Sequence, residues 1–395
     1  MTYLLDDYRW LTGPDAAPWL RVASEYGNNI VRASQILRRE LSAERTHLVL
    51  EQLELRKRGR EKFRLADQLF FTRKGLEQSS GDAIATYKGS LFRRDTRTQV
   101  ADLCCGIAGD AMQLHAVHDV VAVDWDPVHA WFAQVNLESV GYGRVAVLQR
   151  DVCTVELRDH WAWHLDPDRR ADGRRSTQID HYAPNASQIR KLLSRNGNGM
   201  IKIAPAADVP GDWLPTCERL WVGYDRACPQ QLLLFGELAE RVQSRSAVVI
   251  DDHGKERQSL HTIGEPPLPP LSAIGQFLHD PHPCVVAARL VSALALRANM
   301  SAVDRQVAYL SSDDPFDGAL ADSFRVVDIM PFDRRRLARY LQQRRIGTLE
   351  IKQRGVKIVP EHLRKELRLS GDQAAVLFLL PYQHRVTAVL SLRGE

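Results

Sequence analysis

The chain has 395 residues, of which 44% are hydrophobic and 26% are charged, so it is long enough to bury the cores of two or three domains. Its formal net charge of +4, from 53 Lys and Arg against 49 Asp and Glu, is too small to indicate nucleic-acid binding by itself. No window approaches the roughly 18 apolar residues that span a bilayer, and residues 1–20 lack a signal-peptide pattern, so we expect a cytoplasmic protein with no membrane span.

Residues 1–95 are predicted to form a helical region. Within it, residues 33–63 carry apolar side chains at three- and four-residue spacing with charged residues between them, which is typical of amphipathic helices. A basic run occupies residues 56–62. A solvated helix face is the favoured interpretation of this run, and a contact to RNA phosphates is the alternative.

A regular alternation of strand and helix patterns predicts a second domain over residues 96–264. Short apolar segments indicate strands, and segments such as 127–138 and 187–194 indicate helices between them. This alternation is typical of βαβ units and a parallel, doubly wound sheet, so we expect an α/β, Rossmann-like core. The predicted strands are 100–103, 119–124, 144–149, 161–165 and 200–203.

A proline-rich segment separates this core from the C-terminal part. Residues 265–284 are predicted to be a linker, because four prolines between positions 266 and 270 are incompatible with a helix or a central strand. Residues 285–395 are predicted to form a small α+β domain. Its helix patterns are 285–298 and 333–343, and its strand patterns are 324–329, 347–353 and 374–380. Residues 331–370 contain 12 Lys or Arg against four Asp or Glu, a basic excess that the small net charge hides.

The first candidate site is the turn after the first predicted strand, within residues 102–110. At the carboxyl edge of a parallel sheet, small residues and free backbone N–H groups make room for a nucleotide. Gly106 and Gly109 permit close backbone approach, and Asp124 ends the next strand, where a carboxylate binds ribose hydroxyls. Trp125 is placed to pack on an adenine ring, with ordinary packing as the alternative, and Asp151 is placed to bind the adenine amino group.

Two cofactor classes compete for this turn. A nicotinamide dinucleotide site requires Gly-x-Gly-x-x-Gly, but Cys104 stands at the first glycine position. Asp110 directly follows the last glycine, where a carboxylate would repel a pyrophosphate. Asp102 and Asp110 instead attract the ammonium and sulfonium charges of S-adenosylmethionine, so the sequence favours a methyl donor. A glycine turn that binds no ligand is a further alternative. It is disfavoured because the residues at several strand ends agree with a cofactor site.

The second candidate site is the segment 163–170 after the fourth predicted strand, which this topology places against the transferable methyl group. Asp166 is predicted to be catalytic by accepting a hydrogen bond from the acceptor group and orienting its lone pair, while Pro167 stiffens the turn. Arg169 and Arg170 are placed to bind a phosphate or to stack on a base. A surface turn with Asp–Arg pairs is the alternative interpretation.

Cysteine and histidine patterns disfavour other chemistries. The six cysteines include no Cys-x-x-Cys pair, which is typical of reduced thiols rather than of a zinc or disulfide framework. None lies in the segment 163–170, so methylation through a nucleophilic thiol is disfavoured. The histidines do not have ligand spacing, and we predict no metal site.

Several motifs together resemble a known family. Phe70-Phe71-Thr72, the segments 102–110 and 123–127 and Asn136 look like those of class I methyltransferases, with a core similar to trimethylguanosine synthase. The whole chain is similar to a group of bacterial class I S-adenosylmethionine-dependent methyltransferases with a THUMP-like C-terminal domain. This second resemblance is carried by Phe-Thr-x-x-Gly-Leu-Glu-Gln at 71–78, Leu-Cys-Cys-Gly at 103–106, Asp-Pro-x-Arg-Arg at 166–170 and Ile-Lys-x-Arg-Gly at 351–355.

The resemblance implies S-adenosylmethionine as the cofactor and RNA as the acceptor, because THUMP domains bind RNA. The basic C-terminal domain would then contact phosphates through Lys352, Arg354 and Lys357. The residues expected to hold the cofactor are Asp102, Cys104, Gly106, Gly109, Asp110, Asp124, Trp125 and Asp151.

The sequence departs from the family pattern at two places. Ala108 occupies a position in the turn where glycine is usual, which narrows the backbone freedom. The segment after the fourth strand is Asp-Pro-Asp-Arg-Arg rather than the Asn/Asp-Pro-Pro-aromatic turn of exocyclic-amine methyltransferases, which disfavours N-methylation of guanine or adenine. The alternatives to an RNA methyltransferase are a small-molecule methyltransferase and a noncatalytic RNA-binding protein with a vestigial cofactor fold.

Overall fold

A computed structural model of the protein describes residues 3–27, 29–94, 99–169 and 176–393. The chain forms two compact units whose residues alternate along the sequence. Unit 1 comprises Met1–Arg219, Gln230–Gln243 and Ile250–Glu256, and unit 2 comprises Leu220–Pro229, Ser244–Val249 and Arg257–Glu395. The predicted domains 1–95 and 96–264 therefore lie mostly within one unit.

Helices fill the N-terminal part of unit 1. The pattern over 33–63 is divided by a break after residue 37. The basic run 56–62 is largely engaged within the protein, because Arg58 pairs with Glu54, Arg60 pairs with Asp67, and the Arg56 guanidinium stacks on Phe70. The helices are α1 (Leu5–Thr12), α2 (Ala17–Glu25), α3 (Ile30–Leu37), α4 (Ala43–Gly59), α5 (Arg73–Gln78) and α6 (Asp82–Phe92).

The rest of unit 1 is the expected Rossmann-like core. Five parallel strands alternate with helices in the spatial order β3-β2-β1-β4-β5, and the next strand, β7, is antiparallel to β5. The strands are β1 (Gln99–Leu103), β2 (Asp119–Asp124), β3 (Ala146–Gln149), β4 (Trp161–Leu165), β5 (Gly199–Ile203) and β7 (Ala227–Leu234), and the helices are α7 (Gly109–His115), α8 (Pro127–Ser139) and α9 (Ala186–Arg195).

The strand register gathers the polar residues at strand ends on one edge of the sheet. Leu103 is aligned with Val123 of β2 and Leu165 of β4, and Leu165 is aligned with Ile201 of β5. The residues at and just beyond these aligned positions therefore share the carboxyl edge of the sheet, where ligands of doubly wound folds bind. They include Cys104, Asp124, Asp166 and Lys202.

A buried asparagine joins the helical region to this core. The Asn136 side chain, fully buried on α8, accepts a hydrogen bond from the Phe70 N–H (2.7 Å) and donates to the Phe70 carbonyl (3.0 Å). It also donates to the carbonyl of Ile107 in the turn after β1. These bonds satisfy backbone groups of the segment before α5 and explain why the helical region belongs to unit 1.

Three further strands, like β7, contain residues of both units. They are β6 (Glu218–Tyr224), β8 (Ser244–Ile250) and β9 (Glu256–Ile263). β6 and β7 are joined by a turn at residues 225–226.

The described part of unit 2 contains the α+β fold expected at the C-terminus. Its seven-stranded sheet has the order β11-β12-β10-β13-β16-β15-β14. The predicted linker 265–284 is wrong in part, because residues 277–281 form β10 and pair with β12 and β13. The strands are β10 (Phe277–Pro281), β11 (Ser301–Ala302), β12 (Leu310–Ser312), β13 (Ala321–Pro331), β14 (Ile346–Gln353), β15 (Gln373–Tyr382) and β16 (Arg385–Arg393), and the helices are α10 (Pro283–Ala287), α11 (Val291–Arg297), α12 (Arg334–Gln343) and α13 (Pro360–Leu367).

A buried histidine predicts acid sensitivity of unit 2. His279 on β10 is fully buried, its ring contacts the hydroxyls of Ser323 (2.9 Å) and Ser312 (2.7 Å), and burial lowers its pKa to about 4. The unfolded chain takes up a proton at this position below pH ~6.5, whereas the folded protein does not, so stability is lost as the pH falls from 6.5 towards 4. We expect a loss on the order of 3 kcal/mol across this range.

Urea unfolding of the intact protein at pH 7 and pH 5 tests this contribution. In His279→Gln, which retains a hydrogen-bonding side chain that does not titrate, the difference between the two pH values should be smaller than in the wild type. An equal difference in both proteins would show that other groups cause the acid sensitivity.

Candidate cofactor and acceptor site

A cleft lies at the carboxyl edge of the sheet in unit 1. It is formed by the turn after β1, the end of β2, the segment after β4, the end of β5 and helix α5. Its lining contains nine of the predicted site residues, namely Cys104, Gly106, Gly109, Asp110, Asp124, Trp125, Asp166, Pro167 and Arg169.

The turn between β1 and α7 has an alternating left-handed backbone. The φ angles of Cys104, Gly106 and Ala108 are 59°, 56° and 68°. A Cβ atom added at Gly106 would meet nothing within 4 Å, so the backbone there faces open space in the cleft. The turn therefore leaves its backbone open towards the cleft.

Asp124 is fixed at the end of β2 by two backbone donors. Its carboxylate accepts hydrogen bonds from the N–H groups of Gly106 (2.9 Å) and Asp126 (3.0 Å). The residue is 4% exposed, and burial raises its pKa, opposed by nearby His129 and by these backbone bonds. The carboxylate thus links the β1 turn to the end of β2 and still has lone pairs that can accept hydrogen bonds from a ligand.

Two predicted cofactor residues do not line the cleft. Asp102 is 1% exposed, and its carboxylate lies 2.7 Å from Nδ1 of His164 on the neighbouring strand β4. Asp151 is exposed and accepts a hydrogen bond from the Cys153 N–H (2.9 Å), which caps a short 3₁₀ helix. The Asp102 side chain is therefore buried against His164 and away from the cleft, whereas the contact of Asp151 with the adenine amino group stays a prediction.

The side of the cleft formed by the ends of β4 and β5 contains a close ion pair. The Lys202 ammonium on β5 lies 2.5 Å from the Asp166 carboxylate and donates to the carbonyl of Gln78 (3.1 Å). Pro167 and Arg169 follow Asp166 along the cleft, and Arg169 leaves its guanidinium without a partner among the described residues. Arg170, predicted to bind substrate, lies outside the described residues.

The cleft also includes residues that the sequence analysis did not select. Lys74, Gln78 and Ser79 come from the α5 region, and the Lys74 ammonium pairs with Asp168 at 2.8 Å. Lys202 was detectable, because it is the one charged residue in the otherwise apolar strand β5 and a buried lysine requires a partner. The α5 residues were present in the Phe-Thr-x-x-Gly-Leu-Glu-Gln motif, but their position against the cleft depends on tertiary packing.

The two adjacent cysteines of the turn are free thiols. Burial, followed by the negative charge of Asp124, raises the pKa of both Cys104 and Cys105. Cys104 lines the cleft through its position in the turn.

The predicted phosphate-binding residues of unit 2 differ in availability. Lys352 and Arg354 both pair with Asp280, at 2.7 and 2.8 Å, and Arg354 also stacks on Tyr309. Lys357 is exposed and has no side-chain partner among the described residues. These contacts assign Lys352 and Arg354 to internal packing of unit 2 and leave Lys357 accessible.

The left-handed conformation of Ala108 predicts a stabilising substitution. A non-glycine residue in this conformation costs about 1–2 kcal/mol, so we expect Ala108→Gly to raise stability by about 0.5–1 kcal/mol after the greater chain entropy of glycine is included. Thermal unfolding measures this effect. Ala111→Gly, which changes a buried alanine within α7, is the matched control and should be destabilising. A lower Tm for Ala108→Gly would contradict the expected relief of strain.

Comparisons with known proteins agree with this architecture. Residues 321–393 match the family described as THUMP domain-like. The chain is 30% identical over 316 residues to a protein found in two strains of Mycobacterium tuberculosis, described as an uncharacterized S-adenosylmethionine-dependent methyltransferase. This match covers 78% of the present chain and 83% of the relative. A crystal structure from Porphyromonas gingivalis, described as a candidate methyltransferase, has a TM-score of 0.76 at 19% identity and covers 96% of this chain and 98% of that chain.

The chain belongs to the S-adenosylmethionine-dependent methyltransferases. It is an enzyme of this class, with S-adenosylmethionine as its cofactor and a THUMP-like domain at its C-terminus. The cleft suits this cofactor, because Gly106 leaves open space beside the backbone and carboxylates stand at the ends of the turn and of β2. Within the described residues, no helix has both the length and the apolar character needed to cross a membrane.

Proposed function

We propose that this enzyme methylates RNA, with the cofactor held by the β1 turn and Asp124 and the acceptor oriented by Asp166. When bound, S-adenosylmethionine supplies an electrophilic methyl group on its sulfonium. Asp124 would accept hydrogen bonds from the ribose hydroxyls, Trp125, which is 70% exposed, would cover the adenine, and Asp110 would face the charged methionyl end. Cys104, Gly106 and Gly109 would provide the backbone surface.

Asp166 would act mainly by positioning the acceptor. Its carboxylate is anchored by Lys202 on one side, so its remaining oxygen lone pairs can accept a hydrogen bond from an N–H or O–H group of the substrate. Pro167 restricts the backbone of this segment. Holding the nucleophile in line with the methyl group accounts for much of the rate enhancement that such transfers require. Arg169 is available to bind a nearby phosphate.

The arginine-rich face of α12, inside the THUMP-like segment, is the observation that most favours RNA over a small molecule. Arg335, Arg336 and Arg339 are exposed and make no side-chain pair within the part of the chain described. By contrast, Arg334 pairs with Glu366 on α13. Several uncompensated guanidinium groups on one helix suit a phosphate backbone, so we assign the RNA contact to α12 and Lys357.

Transfer of labelled methyl from S-adenosylmethionine to RNA, protein and small-molecule fractions of a cell extract tests the proposed acceptor. We expect label in RNA, and less of it with Arg335→Gln/Arg336→Gln, with the difference from the wild type shrinking as the salt concentration is raised. The matched control is Arg38→Gln/Arg39→Gln, which removes two adjacent, exposed arginines that follow α3 and make no side-chain pair with any described residue. Label that enters only small molecules would replace RNA with a metabolite as the acceptor.

A cytoplasmic location is part of this proposal. The six cysteines, all within the described residues, are free, as expected in a reducing compartment. The THUMP-like segment is expected to meet RNA there.

A further inference from the structure

Beneath the cleft, four ionisable side chains form a continuous buried network. The Lys88 ammonium on α6 lies 2.5 Å from the Asp110 carboxylate of α7 and 3.2 Å from Nε2 of His164 on β4. The other ring nitrogen of His164 lies 2.7 Å from Asp102 on β1. Lys88 also donates to the Ser80 hydroxyl at 3.0 Å. The network therefore connects elements on both sides of the β1 turn.

Only one member of this network reaches the cleft. The side chains of Lys88, His164 and Asp102 are 1% exposed, whereas that of Asp110 is 8% exposed and lines the cleft. A lysine this deeply buried is unfavourable unless its charge is compensated, and Asp110 provides the compensation. Asp110 in turn depends on Lys88, because a buried carboxylate that has no cation nearby tends to take up a proton.

We propose that Lys88 is a positioning residue that keeps Asp110 ionised and oriented towards the cleft, so that Asp110 binds the ammonium group of the cofactor. This inference rests on the cofactor site of the proposed function and does not depend on the identity of the methyl acceptor. Without Lys88, burial would raise the pKa of Asp110, so more of the carboxylate would be protonated at mildly acidic pH and its attraction for a cation would weaken.

The charges around Asp110 favour an ionised carboxylate at this position. Burial disfavours the ionised carboxylate, but the charges of Lys88, His164 and Lys202 outweigh it and hold the pKa of Asp110 at about 2. Burial lowers the pKa of Lys88 and nearby Lys202 adds to this, whereas Asp110, and more weakly Asp166, oppose it and favour the charged ammonium. Lys202 is itself paired with Asp166, so Lys88 is the cation in direct contact with Asp110.

The test is the dissociation constant of S-adenosylmethionine, measured by calorimetry between pH 5 and 7, where the amino group of the cofactor, with a pKa near ~7.8, stays protonated. Lys88→Met should bind more weakly than the wild type, and the ratio of the two constants should change by up to about tenfold per pH unit, with the larger defect at low pH. Taking this ratio cancels the pH effects that are common to both proteins. Lys88→Arg should restore most of the affinity.

Asp110→Asn provides the second half of a double-mutant cycle. It should bind weakly with a pH profile parallel to that of the wild type, and Lys88→Met/Asp110→Asn should bind no more weakly than Asp110→Asn alone. This pair also keeps the test valid if Lys88→Met does not fold, because removing both charges leaves no unpaired ion in the core. The proposal would be overturned if the affinity of Lys88→Met for S-adenosylmethionine changed with pH in parallel with that of the wild type. It would also be overturned if the affinity losses of the two single variants multiplied in the double variant. Because only cofactor binding is measured, a failure to methylate RNA would leave the result intact.

Discussion

Replacing Asp166 with asparagine is expected to reduce methyl transfer by about 100- to 1,000-fold while leaving cofactor affinity within about threefold of the wild type. The substitution preserves the size of the side chain and an oxygen that can accept from Lys202, but it removes the charge that would hold the acceptor group. Because Asp166 is proposed to contact only the acceptor, the effect should fall on the transfer step.

Labelled-methyl transfer and calorimetry with S-adenosylhomocysteine measure the two quantities separately. Asp180→Asn removes an exposed carboxylate from unit 1 outside the cleft and serves as the control, with both quantities expected to match the wild type. If Asp166→Asn retains full transfer, another group orients the acceptor, and the Asp166–Lys202 pair is structural.

Replacing Asp124 with alanine is expected to weaken cofactor binding by about 100-fold or more. Hydrogen bonds to a charged acceptor contribute about 1.5–3 kcal/mol each, and two ribose hydroxyls are proposed to donate to this carboxylate. The substitution also frees the N–H groups of Gly106 and Asp126, which loosens the β1 turn. Both the loss of the ribose contacts and the looser turn weaken cofactor binding.

The comparison for this prediction is Asp119→Ala, which removes an exposed carboxylate from the opposite end of the same strand. Calorimetry should give an unchanged affinity for Asp119→Ala and a large loss for Asp124→Ala. Wild-type affinity in Asp124→Ala would mean that the ribose is bound by another residue of the cleft.

The core of unit 1 was predictable because its signals are local. Each parallel strand is a short apolar run, and the run ends at a polar residue or a glycine turn, as at Asp124 and Gly106. The strand at 277–281 was missed because neighbouring prolines dominated the interpretation of the segment. Its strand structure depends on pairing with β12 and β13, which are distant in sequence.

The site was predictable only at the strand ends. Asp102 was expected to face the cofactor, but strand side chains alternate between the two faces of a sheet. The register aligns Asp102 with His164, and the two side chains meet away from the cleft. Lys88 gave no local sign of its role beyond being a charged residue in the mostly buried helix α6, because its partners come from separate elements. Such networks become visible only when the distances are known.

The adjacent thiols at Cys104 and Cys105 have a consequence for the chemical resistance of the enzyme. Thiolates, not thiols, react with peroxides and with electrophilic reagents, and the raised pKa of both groups keeps them protonated at neutral pH. We therefore expect both sulfur atoms of the turn to react slowly with peroxides and alkylating reagents at neutral pH. Covalent probes aimed at this turn would find poor nucleophiles, whereas reversible ligands would meet an open backbone at Gly106.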